Sequence, residues 1–289
     1  MPGRTVLVLG GGGALGAAHL GVFEALVARG VPVDAVGGTS AGGGIGAQIA
    51  MGWHPEHIRR VNVDTWVGDS PFHKPTLPVL SLCARSAIDD AARSMFGDAQ
   101  IEDLWTPFFC VSTDLTRGEA RVHTRGPLWV AVRATASLPG VLSPMIDDGG
   151  VLVDGGVLDN LPVGPMKQLF AGTIVAVDIA REIDLPVDYT YDELPGPLGA
   201  LWSRLRTPGA PPLPTIPRVL LRTITVASQR GRERSRGAAD LLLEPPLERW
   251  SPGDFGAFDP IRDVARRYAE GRLAEADVEA LVRGACSGA

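Results

Sequence analysis

The chain has 289 residues, of which 45% are hydrophobic and 21% charged, a balance typical of a folded globular protein rather than a disordered one. Its formal net charge of −6, without a concentrated basic patch, argues against a nucleic-acid-binding surface. The cysteines Cys83, Cys110 and Cys286 lie far apart and form no CxxC pair, so we expect neither a disulfide framework nor a zinc site.

The beginning of the chain only superficially has the pattern of a signal peptide. Arg4 precedes an apolar run, but four consecutive glycines interrupt it, and Glu24 stands where a cleavage region would lie. No stretch of the sequence is apolar over the length that a bilayer span requires. We therefore predict a cytoplasmic protein whose membrane contact is at most peripheral, at the membrane surface.

The first part of the chain alternates strand and helix patterns. Thr5–Leu9 is a continuous apolar run typical of a strand buried on both faces, and residues 17–29 have helical spacing. Residues 33–36 predict a second strand and residues 45–50 a second helix. This order predicts an α/β fold with a mainly parallel sheet and right-handed crossovers.

The remaining elements extend this pattern into a single domain over residues 1–289. Further strands are predicted at 108–112, 119–124, 151–153, 173–179 and 240–243, and helices at 81–96, 128–137, 218–236 and 260–283. We expect a core over about 4–180, an irregular excursion over 181–217 with a short helix near 198–205, and a C-terminal helical cap over 218–289 that includes the late strand.

A G-x-S-x-G motif lies between the second predicted strand and helix. Gly38 and Gly42 flank Ser40, and small flanking residues permit the sharp turn that exposes a nucleophilic hydroxyl at the edge of a sheet. The helix that follows would place its positive dipole end beside a developing oxyanion. The motif alone is equally consistent with a glycine-rich turn that contains a serine by chance.

The glycine loop after the first strand has two interpretations. Gly11-x-Gly13-x-x-Gly16 formally matches a dinucleotide-binding fingerprint, but the only nearby acid, Asp34, precedes the strand end where the ribose-binding acid belongs. Alternatively, the loop N–H groups point at an oxyanion next to Ser40, because loops after parallel strands open at the same edge of a sheet. We favour the oxyanion loop.

Three further features bear on a site at this edge. A predicted strand ends in Asp154, followed by Gly155 and Gly156, which places a carboxylate at the functional edge of the sheet. Residues 66–80 combine turn formers with Trp66, Phe72, Leu77 and Leu80, and predict either an apolar rim over the site or an ordinary connection. His54 and His57 lack an evident third ligand, so we assign no metal.

Together these motifs resemble patatin-like phospholipase domains, most closely the neuropathy-target-esterase group of lysophospholipases. The resemblance extends over almost the whole chain and implies a single-domain patatin-like three-layer fold. We expect a free-standing catalytic domain, without the transmembrane and cyclic-nucleotide-binding parts of larger relatives. The segments that carry the resemblance are residues 8–26, 38–42, 121–124, 133–140, 154–162 and 254–259.

The resemblance implies a Ser–Asp dyad that needs no cofactor. Ser40 would attack a fatty acyl ester, such as a lysophospholipid or phospholipid, and Asp154 would accept its proton. Gly11, Gly12 and Gly13 would hold the oxyanion with their backbone N–H groups. The implied partner is therefore a lipid or acyl-ester substrate, met at a membrane or micelle surface, and the oligomeric state stays unknown. His19 and His123, the histidines in motif regions, are assigned to packing.

One position departs from the family pattern. The glycine loop of the family usually has Arg or Lys where this chain has Leu15, and leucine cannot attract an anionic head group. This difference favours neutral acyl esters, or an acyl acceptor other than water, as alternatives. The competing hypotheses are therefore an acyltransferase, a non-catalytic lipid-binding protein with a vestigial dyad, and a nucleotide-binding protein.

Overall fold

The computed structural model describes residues 4–181 and 216–275, apart from 69 and 78, and the isolated positions 190, 192, 196 and 199. Eight strands of these residues form one sheet: β1 (Thr5–Leu9), β2 (Ala35–Thr39), β3 (Phe108–Asp114), β4 (Glu119–His123), β5 (Met145–Asp147), β6 (Gly150–Asp154), β7 (Thr173–Val177) and β8 (Leu241–Leu243). Helices flank the sheet: α1 (Ala17–Ala28), α2 (Ala41–Ala50), α3 (Pro55–Val63), α4 (Arg85–Phe96), α5 (Leu128–Thr135), α6 (Val163–Leu169), α7 (Ile216–Ala238) and α8 (Phe258–Glu275).

The sheet is mixed, with a parallel centre. Its strand order is β5-β6-β3-β2-β1-β7-β8, and β4 pairs with β3 off this path. The pairs from β3 through β2, β1 and β7 to β8 are parallel, which confirms the predicted α/β fold. β4 and β6 run antiparallel to β3, and β5 runs antiparallel to β6. Carboxyl ends of β1, β2 and β3 therefore open at one edge of the sheet.

Several predicted boundaries were wrong by a few residues. The strand predicted at 33–36 is Ala35–Thr39, because Gly37 and Gly38, typical of a turn, occupy ladder positions opposite β3. A side chain at Gly37 would lie 2.2 Å from the Phe109 ring, so glycine is required there by packing rather than by a turn. The helix predicted at 45–50 already begins at Ala41, and the helix at 81–96 begins at Arg85.

The C-terminal elements join the main core. Helix α8 packs along α1, and Gly21 permits the close contact, since a Cβ there would lie 2.2 Å from the backbone oxygen of Arg262. Leu273 of α8 and Leu7 of β1 belong to the same buried apolar cluster. The short helix predicted at 198–205 and the end of the helix predicted at 260–283 lie outside the described residues. Among the described helices, none combines the length and the apolar character needed to cross a bilayer.

Candidate active site

Ser40 forms the whole connection between β2 and α2. Its backbone has φ 55° and ψ −122°, a strained region for a residue with a side chain. The surrounding structure holds this conformation: the Ser40 N–H donates to Thr135 Oγ1 at 2.9 Å, and Thr135 Oγ1 in turn donates to the carbonyl of Val111. The hydroxyl therefore projects from the carboxyl edge of the sheet, as the motif predicts for a nucleophile elbow.

Ser40 lies against the acid that the sequence singled out. Its Oγ donates to Asp154 Oδ2 at 2.6 Å, although the two residues come from elements 114 positions apart. Asp154 ends β6, and its Oδ1 accepts the N–H of Gly156 at 2.8 Å. The Asp154 N–H donates to the carbonyl of Ser137 at 2.9 Å. Hydrogen bonds thus fix both carboxylate oxygens and the backbone N–H of Asp154 in place.

Burial controls the charge of Asp154. The residue is 4% exposed, and this loss of solvation raises its pKa to about 6, although the hydrogen bonds from Ser40 and Gly156 oppose the rise. Such a carboxyl is still ionised at neutral pH and is a better proton acceptor than an ordinary aspartate. The pair can therefore exchange a proton near neutral pH.

The glycines of both motifs are required by close contacts, which are with backbone atoms at Gly38, Gly42 and Gly155 and with side-chain atoms at Gly156. A Cβ at Gly38 would lie 2.5 Å from the backbone of Gly42, and a Cβ at Gly42 would lie 2.1 Å from the carbonyl oxygen of Leu9. A Cβ at Gly155 would lie 2.1 Å from the carbonyl oxygen of Val111, and one at Gly156 would lie 2.8 Å from Asn160 Oδ1. Any larger residue at these positions would therefore force neighbouring atoms to shift.

The glycine loop lies beside Ser40, but its three glycines differ. A Cβ at Gly11 would lie 3.1 Å from Ser40 Cβ, which places the loop against the serine. The Gly11 N–H donates to the carbonyl of Asn160 at 3.1 Å, and Asn160 Nδ2 donates to the Gly11 carbonyl at 3.2 Å. Within the described residues, the N–H groups of Gly12 and Gly13 form no hydrogen bond. The Gly11 N–H already has a backbone acceptor, so Gly12 and Gly13 are the expected oxyanion donors whose N–H groups are open.

The alternative dinucleotide interpretation requires an open glycine loop. Instead, a Cβ at Gly12 would lie 2.8 Å from Ile179 Cδ1, and one at Gly13 would lie 2.5 Å from the carbonyl oxygen of Pro252. The strand after the first helix ends at Thr39 and leads directly into Ser40, without an acid that could bind a ribose. This geometry favours the oxyanion interpretation.

The two motif histidines contact other partners than Ser40. His19 is fully buried and lies 2.7 Å from the Gly10 carbonyl through Nε2, and burial lowers its pKa to about 4. His123 Nε2 is 2.7 Å from Ser112 Oγ, and burial lowers its pKa to about 4 as well. Both rings are therefore neutral at pH 7, and the hydrogen bond of His19 holds the start of the glycine loop.

Leu15, the departure from the family pattern, lies in the core of the protein. It is fully buried and belongs to the main core cluster. The leucine therefore contributes apolar packing beneath the loop. Any cation that meets an anionic head group must come from another part of the chain.

Sequence reasoning assigned no role to several residues that shape the site. Thr135 and Asn160, described above, lie in the motif segments 133–140 and 154–162, but only their tertiary contacts reveal what they hold. Arg133 is 2% exposed and binds Asp89 Oδ1 at 2.9 Å, Ser137 Oγ at 2.7 Å and Ser143 Oγ at 2.9 Å. It thereby fixes the segment whose Ser137 carbonyl accepts the Asp154 N–H.

No group of three or more potential metal ligands is brought together in the described parts of the chain. The Nδ1 atom of His54 accepts the N–H of Glu56 at 3.3 Å as the cap of α3. The Nδ1 atom of His57 is 2.9 Å from Arg60 Nη2. Both histidines thus have roles on the surface of the same helix.

Comparisons with known proteins identify the family of this chain. A family model described as patatin-like phospholipase matches residues 7–167, more than half of the chain. Patatin-like phospholipase domain-containing protein 6 of Homo sapiens is 38% identical over 281 residues, which cover 93% of this chain and 20% of that protein. Lysophospholipase nte1 of Emericella nidulans is 38% identical over 278 residues, which cover 93% of this chain and 18% of that protein. Neuropathy target esterase sws of Drosophila melanogaster is 36% identical over 271 residues, with coverages of 89% and 19%. The chain therefore spans about a fifth of the length of these relatives.

Proposed function

This chain belongs to the patatin-like phospholipase family, and we propose that it is a serine acyl hydrolase that cleaves fatty acyl esters through Ser40 and Asp154. The family match and the three relatives confirm the resemblance inferred from the motifs. The observation that carries the proposal is the 2.6 Å hydrogen bond from a conformationally strained serine to a buried carboxylate.

The first half of the proposed reaction forms an acyl-enzyme. Ser40 Oγ attacks the ester carbonyl while its proton passes to Asp154 Oδ2. The N–H groups of Gly12 and Gly13 and the N-terminal end of α2 stabilise the oxyanion, and each such donor contributes about 3–4 kcal/mol in other hydrolases. The tetrahedral intermediate then expels the alcohol, which takes the proton back from Asp154.

The second half regenerates the serine. A water molecule attacks the acyl-serine carbonyl and gives a proton to Asp154, and a second tetrahedral intermediate forms at the same donors. Its collapse releases the fatty acid and returns the proton to Ser40. Because one carboxylate serves both steps, neither step needs a histidine, and both motif histidines are hydrogen-bonded to other groups.

The relatives support the substrate class. Their names describe phospholipases and lysophospholipases, so we propose a lysophospholipid or a similar single-chain acyl ester as substrate. Since Leu15 is buried, its lack of charge is no obstacle to an anionic head group. The hydrolase, rather than the acyltransferase, is the function that these observations favour.

A fluorophosphonate probe tests the proposal, because it phosphonylates an activated serine with loss of fluoride. We expect a single adduct on Ser40 in the wild-type chain, located by intact mass and peptide mapping. The Ser40→Ala variant should acquire none, and Ser112 and Ser137, which lie nearby but are fully buried, provide internal controls. A folded wild-type chain without an adduct on Ser40 would contradict the proposed nucleophile.

The pKa of Asp154 predicts the pH dependence. The ionised carboxylate is the base, so kcat/KM for a dissolved ester should rise about tenfold per pH unit up to about pH 6 and then level off. Asp159, whose pKa is also raised to about 6 by burial, could imitate this profile. The Asp159→Asn variant should therefore keep the inflection near pH 6, and a flat profile across this range would argue against Asp154 as the base.

A further inference from the structure

An exposed aliphatic loop projects from the chain at residues 75–83. A bridge between Pro75 and Cys83 and a hydrogen bond from Thr76 N–H to the Leu82 carbonyl at 3.2 Å close its base. Its exposed side chains are Leu77 (78%), Val79 (77%), Leu80 (72%) and Leu82 (42%). Single exposed apolar residues are ordinary, but four within six positions indicate an interaction surface.

The aliphatic loop is attached beside Asp154. The Leu82 N–H lies 3.2 Å from the carbonyl oxygens of Gly140 and Val141, and the Cys83 N–H donates to Val141 at 3.1 Å. This segment continues from Ser137, whose carbonyl accepts the Asp154 N–H. Only a few residues of backbone thus separate the base of the loop from the proposed proton acceptor.

An aromatic cluster connects the same loop to the other side of the site. Phe72 stacks on Phe255 at 4.6 Å between ring centroids and lies 5.6 Å from Trp66. Phe255 follows Pro252, whose carbonyl accepts the Ala14 N–H at 2.9 Å at the end of the glycine loop. The apolar surface therefore extends from the glycine loop to the aliphatic loop.

Helix α7 lies across from the aliphatic loop. A Cβ at Gly140 would lie 2.9 Å from Leu220 Cδ1, and one at Gly231 would lie 3.4 Å from the carbonyl oxygen of Leu158. These contacts place α7 between the segments that precede and follow the strand of Asp154, over about 16 Å of helix. Val219 and Val226 add exposures of 42% and 52% to the apolar surface.

Within the aliphatic loop and the facing part of α7, the charged residues have one sign. The chain has a net charge of −6, yet its residues 70–88 and 216–232 contain no Asp or Glu. Their cations are Lys74, Arg85, Arg218, Arg222, Arg230 and Arg232. Arg85 and Arg232 form ion pairs with Asp89 and Asp178, while Arg230 is exposed and Arg222 half-buried. A cationic border around exposed aliphatic side chains complements an anionic lipid surface.

We propose that the aliphatic loop and residues 219–230 of α7 dock the chain onto an anionic bilayer, with the aliphatic side chains inserted among the acyl chains. The proposal rests on the proposed function, because this surface is connected to the segments that hold Asp154 and the glycine loop and would deliver a lipid ester to Ser40. The head groups of an anionic bilayer carry negative charge, which would attract Arg222 and Arg230 of α7.

Vesicle cosedimentation tests the docking surface independently of turnover. The Ser40→Ala chain prevents hydrolysis, and vesicles of phosphatidylcholine alone are compared with an equal mixture of phosphatidylcholine and phosphatidylserine. Adding Leu77→Asp and Leu80→Asp should weaken binding to both vesicles by roughly a hundredfold. Adding Arg222→Gln and Arg230→Gln should weaken binding to the anionic vesicles alone, by about tenfold or more.

The control is Trp105→Asp, because Trp105 is 87% exposed but precedes β3, at the opposite edge of the sheet. It should leave vesicle binding unchanged. In the active chain, the double leucine variant should hydrolyse a dissolved short-chain ester at the wild-type rate but a vesicle-borne lysophospholipid more slowly. Binding without any hydrolysis would refute the proposed function alone. Absence of vesicle binding by the folded Ser40→Ala chain, or equal binding by the leucine variant, would overturn the docking proposal.

Discussion

The Asp154→Asn variant should lose turnover and gain stability at the same time. Asparagine can keep the geometry, because its oxygen can accept the Gly156 N–H and its amide can donate to Ser40 Oγ. It cannot accept the serine proton, so we expect kcat/KM to fall by at least about ten-thousandfold. Turnover close to wild type would exclude Asp154 as the base.

The gain in stability follows from the cost of ionising a buried carboxyl. The pKa of Asp154 is raised from 3.8 to about 6, which corresponds to about 3 kcal/mol of destabilisation once the group is ionised in both states. The folded state holds the proton more tightly, so wild-type stability falls as the pH rises from about 4 through about 6. Asparagine removes this cost, and the free energy of unfolding at pH 7 should rise by up to about 3 kcal/mol.

Denaturant unfolding at two pH values measures this effect. The difference between Asp154→Asn and wild type should be largest at pH 7 and should vanish below about pH 4, where both side chains are neutral. Asp159→Asn is the matched control, because burial raises the pKa of this carboxyl to about 6 as well, but its side chain lies outside the dyad. It should gain stability at pH 7 and keep its turnover. A lower stability of Asp154→Asn at pH 7 would contradict the argument.

Arg133→Met should produce a large loss of stability. The guanidinium is almost fully buried, pairs with Asp89 at 2.9 Å and donates to Ser137 Oγ and to two oxygens of Ser143. Methionine fills similar space but leaves the oxygens of Ser137 and Ser143 without this donor, and leaves the buried Asp89 carboxylate with only Arg85, whose side chain is 71% exposed. Breaking one side of a buried pair typically costs about 3–5 kcal/mol, so we expect thermal unfolding to occur about 6–15 °C lower.

Two further variants test whether the buried charge network causes the loss of stability in Arg133→Met. Arg266→Met removes an exposed helical arginine from an i,i+4 pair with Glu270 and should cost less than about 1 kcal/mol. The double variant Asp89→Leu with Arg133→Met should recover part of the loss, because it removes the buried carboxylate that has lost its buried partner and retains only the exposed Arg85. Equal losses for Arg133→Met and Arg266→Met would show that the buried network contributes little.

Local sequence patterns predicted most elements of the fold. They gave wrong boundaries where glycine is required by close packing within a strand rather than by a turn. Gly37 and Gly38 are typical of a turn, and the end of β2 was therefore predicted too early. Strand β5 was missed although Asp148-Gly149, a strong hairpin signal, joins it to β6, and both residues have positive φ. Its three residues are too few for an alternating pattern to be recognised.

The sequence by itself determined the α/β class, the family, and the positions of Ser40 and Asp154 at the ends of strands, because hydrophobic runs and turn residues mark where a strand begins and ends. The antiparallel direction of β6, which ends in Asp154, came only from the tertiary structure. Only the tertiary structure showed that Ser40 Oγ lies 2.6 Å from Asp154 Oδ2. It also showed that the Asn160 carbonyl accepts the Gly11 N–H and that Leu15 is buried. Such contacts depend on how distant segments pack. A local sequence pattern therefore does not predict which donor and acceptor will form a hydrogen bond. The same reason explains why Arg133 looked like an ordinary helix residue until Asp89, Ser137 and Ser143 were seen to surround it.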